Sequence, residues 1–281
     1  MAEHILQTLS RRYPQLLLPI SDETRHSEAY RDAVLCGEEL EGTPDFTLSH
    51  KDTFEVADTP AGRIEVLSLS ERADFEHCFR ALAYRCENAE IPPTTGATII
   101  SGLINWEKIR RHQEEYLAAG GDDWDGEFRR FTAVRENYRD SIILLSRGYY
   151  SALSPADAGY SEKEWRELSY TIRKYHELAH FVSQRLFPEN KNALRDEVLA
   201  DMNGIVAALG HFDAELAGKF LGVIGGSYVP GGRLENYVSA EELPSAVSRA
   251  AEMLAILDRD HSAPSKPFEK LLEIEKDRLF L

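Results

Sequence analysis

A chain of 281 residues, 43% apolar and 10% aromatic, is long enough to bury a sizeable core and has the make-up of an ordinary globular protein. Its 32 Lys and Arg against 48 Asp and Glu leave a net charge of −16, which argues against a nucleic-acid partner or an anionic membrane surface. Cys36, Cys78 and Cys86 give neither a disulfide framework nor zinc-knuckle spacing. The run Leu16-Leu17-Leu18 is too short for a signal peptide and is cut by Pro19, and no apolar stretch approaches bilayer length, so a cytoplasmic protein is expected.

Residues 3–12 read as a helix ended by Pro14, and Thr24 to Leu40 as a second. Phe54 and Val56, then Ile64 and Val66, alternate around Asp58-Thr59-Pro60-Ala61-Gly62, the pattern of a β-hairpin over about 53–69. Ser70 is placed to cap a helix running to about Cys86. The prolines and glycines between Ile91 and Gly102 exclude a helix there and leave Ala97 to Ile100 as a strand. Trp106 to Ala119 is predicted helical up to Gly120-Gly121. Glu127 to Arg147 is predicted as a further helix, with Phe131, Val134, Tyr138, Ile142 and Leu145 on one face and Gly148 as its cap. Tyr149 to Leu153 reads as a short strand. After Gly210 come a short helix from Asp213 to Ile224 and a Gly- and Pro-rich loop to Tyr237. A helix from Ser239 to Asp258, interrupted near its start by Pro244, and a last helix from Phe268 to Phe280 complete the chain. There is no internal repeat. The expected fold is α+β, predominantly α-helical, in a single domain spanning 1–281 with one small β element.

The remaining stretch carries the chemistry. Ser161 and Glu164 form a capping box, and Trp165, Leu168, Ile172, Tyr175, Ala179, Val182 and Leu186 recur at steps of three and four until Pro188, predicting one long helix over about 161–187. Within it lies His176-Glu177-Leu178-Ala179-His180. Residues four apart share a helix face, so both imidazoles can reach one ion at the edge of the apolar stripe. Zinc takes neutral imidazole nitrogens, and a catalytic site adds a third protein ligand and keeps a fourth position for water. The glutamate between the histidines is placed to take a proton from such a water. Asn192 caps a second helix, over about 193–209, whose stripe is Leu194, Val198, Met202, Ile205 and Leu209. On it, Glu197 and Asp201 share one strip that continues through the small residues Gly204 and Ala208, allowing a close approach of the two helices.

The order His176, Glu177, His180, then Glu197-x-x-x-Asp201, resembles the gluzincin, thermolysin-like branch of the zinc metallopeptidases, over about residues 165–209. The resemblance implies zinc (Zn2+) held by His176, His180 and Glu197, Glu177 as general base, and Asp201 orienting a ligand histidine. It implies a zinc-dependent hydrolase, a peptidase or amidase, whose partner is a peptide or small amide substrate. Gluzincins also supply a downstream donor to the developing oxyanion. His211, Tyr228, Arg233 and Tyr237 are the candidates, with Tyr228 and Arg233 preferred because their Gly-rich loop can act as a lid. Two departures stand out. Arg173 occupies a position where the pattern carries a small or aliphatic residue, which bears on peptidase activity more than on metal binding. The step from His180 to Glu197 is shorter than in thermolysin-like enzymes, which leaves Asp196 and Asp201 open as ligands. Two other readings remain: a di-iron helix bundle built on the Glu177-x-x-His180 and Glu23-x-x-His26 pairs, and a non-catalytic metal-binding or interaction protein.

Overall fold

Apolar side chains recurring every three to four residues build 54% of the chain into helix against 13% strand, so the fold is α+β and predominantly α-helical, as expected. The computed structural model describes residues 4–42, 46–47 and 49–281. Contacts gather the chain into two compact units. The first holds Met1–Ala57, Ile64–Pro92 and Thr98–Ser146, and the second Asp58–Arg63, Pro93–Ala97 and Arg147–Leu281. The reading of 1–281 as one domain makes no such division, because periodicity carries no information on which elements pack together.

The first unit opens with α1 (Ile5–Arg12), capped by His4; the predicted start at residue 3 lies outside the described residues. Next comes α2 (Glu28–Tyr30), running into a π-helical turn, Arg31–Leu35. The predicted helix to Leu40 ends early because Gly37 sits at φ +79° against Trp106, whose ring is 2.3 Å from where a Cβ would stand. The Trp106 indole N–H donates to the Val34 carbonyl, 3.0 Å away. The sheet follows, with β1 (Thr53–Thr59), β2 (Gly62–Leu69), α3 (Arg72–Leu82), β3 (Ala97–Ile104), α4 (Trp106–Ala118), α5 (Trp124–Thr132), α6 (Arg135–Tyr138) and β4 (Arg139–Ser146). Strand order is β1-β2-β4-β3, and β2 and β4 run parallel from Glu65 opposite Ile142 to Leu69 opposite Ser146.

Two expectations fail here. Ser70 does not cap α3: its N–H and hydroxyl both donate to the Asp52 carboxylate, at 2.8 and 2.9 Å, and the helix begins after Glu71. The helix predicted from Glu127 to Arg147 is α5, α6 and then a strand. Ile142, Ile143, Leu144 and Leu145 are all fully buried, the mark of an interior strand covered on both faces. Their continuous apolar run happened to match helical steps counted from Phe131, whereas Val134, predicted inward, is 49% exposed. Leu67, Leu69, Ile142 and Leu144 pack with Leu6, Leu9 and Phe75 as the core of this unit.

In the second unit a 3-10 turn stands at Tyr150–Ala152, where a strand was expected; Ser151 and Ala152 take φ values of 53° and 54°, which no strand accommodates. Then come α7 (Pro155–Ala158), α8 (Glu162–Leu186), α9 (Ala193–Leu209), α10 (Ala214–Leu221), the β5–β6 hairpin (Val223–Ile224 and Ser227–Tyr228), α11 (Leu243–His261) and α12 (Glu269–Lys276). The capping box at Ser161 and Glu164, the Asn192 cap and the left-handed Gly210 fix the ends of α8 and α9 where the sequence puts them. Gly225 and Gly226, at φ 58° and 77°, turn the hairpin. Pro244 does not interrupt α11; it opens the helix, where no intrahelical N–H is needed. Helix α9 lies against α8 at Gly204, where an added Cβ would come 2.6 Å from the Ile172 carbonyl oxygen. Asn203 fastens the pair, donating to the Tyr175 carbonyl at 2.8 Å. Fully buried Arg195 ties the start of α9 to α12, pairing with Glu275 at 2.8 Å and donating to the Leu279 carbonyl at 2.7 Å. No described helix is long and apolar enough to cross a membrane.

Candidate metal centre

The phase of α8 and α9, set by their caps and by the contact at Gly204, brings three side chains to one point. One ligand-type atom from each of His176, His180 and Glu197 lies within 4.8 Å of the other two. His176 Nε2 is 3.1 Å from His180 Nε2, and the two Glu197 oxygens each lie 3.4 Å from one of those nitrogens. Two imidazole nitrogens and a carboxylate oxygen are the donor set zinc accepts, and bonds of about 2 Å to a shared ion suit donors this close together. Glu197 Oε2 is buried and accepts no well-directed hydrogen bond from any described residue; His176 Nε2 faces it from 3.4 Å. The residues present therefore fit a divalent metal.

Burial opposes charge on Glu197, yet hydrogen bonding and charge from His176 and His180 hold its carboxyl far below the usual range. Burial disfavours the His176 imidazolium too, but Asp201 and Glu197 outweigh it and raise that pKa to about 9. Asp201 is fully buried, which alone would raise its pKa; the Arg233 cation and His176 hold it below the ordinary aspartate value.

Asp201 stands behind the first histidine, its Oδ1 2.9 Å from His176 Nδ1. Tyr150 completes that side. Its hydroxyl lies 2.8 Å from His176 Nδ1, donates to Asp201 Oδ1 at 2.6 Å and accepts from an Arg233 N–H at 2.9 Å. Arg233 also pairs with the other Asp201 oxygen and lies over the Tyr150 ring, 4.9 Å from its centroid. Arg173, the departure from the resembled pattern, is buried; it donates to the Gly148 and Tyr149 carbonyls at 2.8 and 2.9 Å and lies over the same ring at 5.6 Å. Its place in the helix is thus taken up with holding the turn that presents Tyr150.

The structure distributes the candidates unevenly. Glu177 is half-buried beside His176 and makes no hydrogen bond or ion pair with any described residue. Of the two alternative ligands, Asp196 accepts from the Asn192 N–H at the helix start, 3.3 Å, and Asp201 faces the far nitrogen of His176. Arg233 joins the centre through Asp201 and Tyr150. Tyr228 does not: its hydroxyl donates to the Gly232 carbonyl at 2.9 Å and meets Glu235 at 2.7 Å, inside its own loop. His211 is exposed past the end of α9, its Nδ1 3.2 Å from the Leu209 carbonyl. Tyr237 neighbours Glu197, Asp201 and Arg233, and burial pushes its phenol well above the ordinary tyrosine value. Glu23 and His26, needed for a di-iron site, are exposed on a 3-10 turn of the first unit. Among the described residues, His176, His180 and Glu197 form the only such ligand cluster. Sequence reasoning missed Tyr150, which lay in a predicted strand. The one available signal was Arg173, a charge adjoining the apolar stripe that requires a buried partner.

Fold and site together define an α+β, mainly helical protein with a candidate His-His-Glu metal centre on a helix pair. Residues 2–270 match a family described as of unknown function, DUF7005, and the chain belongs to that family. No curated protein matches the chain, and no solved structure matches it.

Proposed function

We propose that this protein is a zinc-dependent hydrolase of the gluzincin kind, acting on a peptide or small amide. The observation that carries the reading is the convergence of His176, His180 and Glu197, one ligand-type atom of each within 4.8 Å of the others. Bound zinc supplies a Lewis acid that polarises a scissile carbonyl and acidifies water. His176 and His180 present imidazole nitrogens to it and Glu197 presents a carboxylate. Glu177, one residue from a ligand and without a partner among the described residues, takes the proton from the attacking water and passes it to the leaving amine. Tyr237, beside Glu197, Asp201 and Arg233, takes the oxyanion-donor role in place of Tyr228, whose hydroxyl is engaged in its own loop. Arg233 supports Asp201 and Tyr150 instead of facing substrate.

Glu177→Gln keeps the size of the side chain and cannot take a proton. Zinc-loaded wild type, screened against peptide and acyl-amide libraries, is expected to show metal-dependent hydrolysis. Glu177→Gln is expected to keep its zinc and lose turnover by at least about 100-fold. Equal activity of the variant, or no hydrolysis by wild type, contradicts the hydrolase reading.

A further inference from the structure

We infer that Tyr150 is a positioning residue of the metal centre: its hydroxyl, with Asp201, fixes His176 in the tautomer that turns a bare Nε2 toward the ion. The inference rests on the zinc reading above and goes beyond it, because neither the His-Glu-x-x-His pattern nor the downstream Glu-x-x-x-Asp pattern contains this residue.

Three atoms form a closed triangle: His176 Nδ1, Tyr150 Oη and Asp201 Oδ1, with edges of 2.8, 2.6 and 2.9 Å. Asp201 can only accept. A phenol has one hydrogen to give, and Arg233 already donates to its oxygen from 2.9 Å. The 2.6 Å edge between Tyr150 and Asp201 needs a hydrogen between two oxygens, and the only one available is the phenol's. His176 Nδ1 then faces a carboxylate oxygen and an oxygen whose hydrogen points elsewhere. Both contacts are favourable only if Nδ1 carries its own hydrogen, which leaves Nε2 as the nitrogen that faces the 3.1 Å gap beside His180 and, in the neutral ring, holds the lone pair there. With Phe at this position, Arg233 loses an acceptor and Asp201 a donor in a buried site, and the imidazole keeps one partner in place of two.

The surroundings hold Tyr150 to this task. Arg173 grips the two carbonyls just before it, and Gly96 leaves room for that guanidinium, since a Cβ there would lie 2.6 Å from Arg173 Nε. Ser151, at φ 53°, donates to the Phe220 carbonyl at 3.1 Å, and the Tyr150 ring meets Phe220 edge-on at 4.8 Å. Arg166 lies over the ring of Tyr149 at 4.9 Å, so the turn is fastened to α8 at more than one level.

The test is zinc affinity of the full-length protein, by competition with a chromophoric chelator, for wild type, Tyr150→Phe and, as control, Tyr149→Phe. Tyr150→Phe is expected to bind zinc about 10–100-fold more weakly, the usual consequence of losing such a partner, and Tyr149→Phe to match wild type. Circular dichroism checks that each variant is folded. Equal affinity in folded Tyr150→Phe overturns the inference and leaves the zinc site standing; wild type that binds no zinc overturns both. A second measurement needs no variant. Nitrogen NMR of zinc-loaded wild type is expected to show His176 with its hydrogen on Nδ1. A ring without hydrogen there overturns the assignment, and this spectrum keeps it open to refutation if Tyr150→Phe does not fold.

Discussion

Glu197 and Asp201 are chemically similar and one helical turn apart, yet they serve different atoms: Glu197 faces both Nε2 atoms, and Asp201 faces His176 Nδ1. Replacing them should therefore do different things. Asp201→Asn is expected to weaken zinc binding about 10–100-fold, while Glu197→Ala removes a ligand and abolishes it. Chelator competition on both variants checks this, and equal losses contradict the assignment. The spacing of these four side chains was legible in the sequence because a helix converts residue number directly into direction. Tyr150 was not legible. Its place depends on positive φ at Ser151 and Ala152, residues with no glycine signature, and on two arginines distant in the chain. Tyr228 misled for the same reason: a Gly-rich loop announces turns without announcing where its hydroxyls point.

Helices α8 and α9 were readable end to end, since their caps lie next to the residues they cap and their apolar stripes repeat locally. Strand β4 was not, because a run buried on both faces has no period of its own and sheet pairing with β2 is a long-range fact. The close contact of α8 and α9 gives a prediction at this scale. Gly204→Ala places a Cβ 2.6 Å from the Ile172 carbonyl oxygen and must push the helices apart. A loss of about 1–3 kcal/mol is expected in chemical denaturation, with weaker zinc binding, although alanine is the better helix former. A stability equal to wild type contradicts the packing described. The α9–α12 tie makes a separate prediction. Glu275→Ala leaves Arg195 as a buried charge without its carboxylate, and a destabilisation of about 3–5 kcal/mol is expected by the same measurement.

For the chain as a whole, zinc bound at the proposed site would be a ligand of the folded state alone and would stabilise by mass action. At a free concentration a hundred times the dissociation constant the gain is about 2.7 kcal/mol. Hydrogen exchange is expected to show that gain in α8, α9 and the Tyr150 turn, with little change in β2 and β4, which belong to the other unit. The ligands must shed protons to bind, so zinc affinity is expected to fall as pH drops. The net charge of −16 sets no substrate, and the Arg233 cation is held against Asp201. The central claim is the metal itself, and elemental analysis of protein purified without chelator tests it most directly. One zinc per chain in wild type, lost in His180→Ala, is the result predicted. Protein without metal, or zinc retained at wild-type level in His180→Ala, contradicts it.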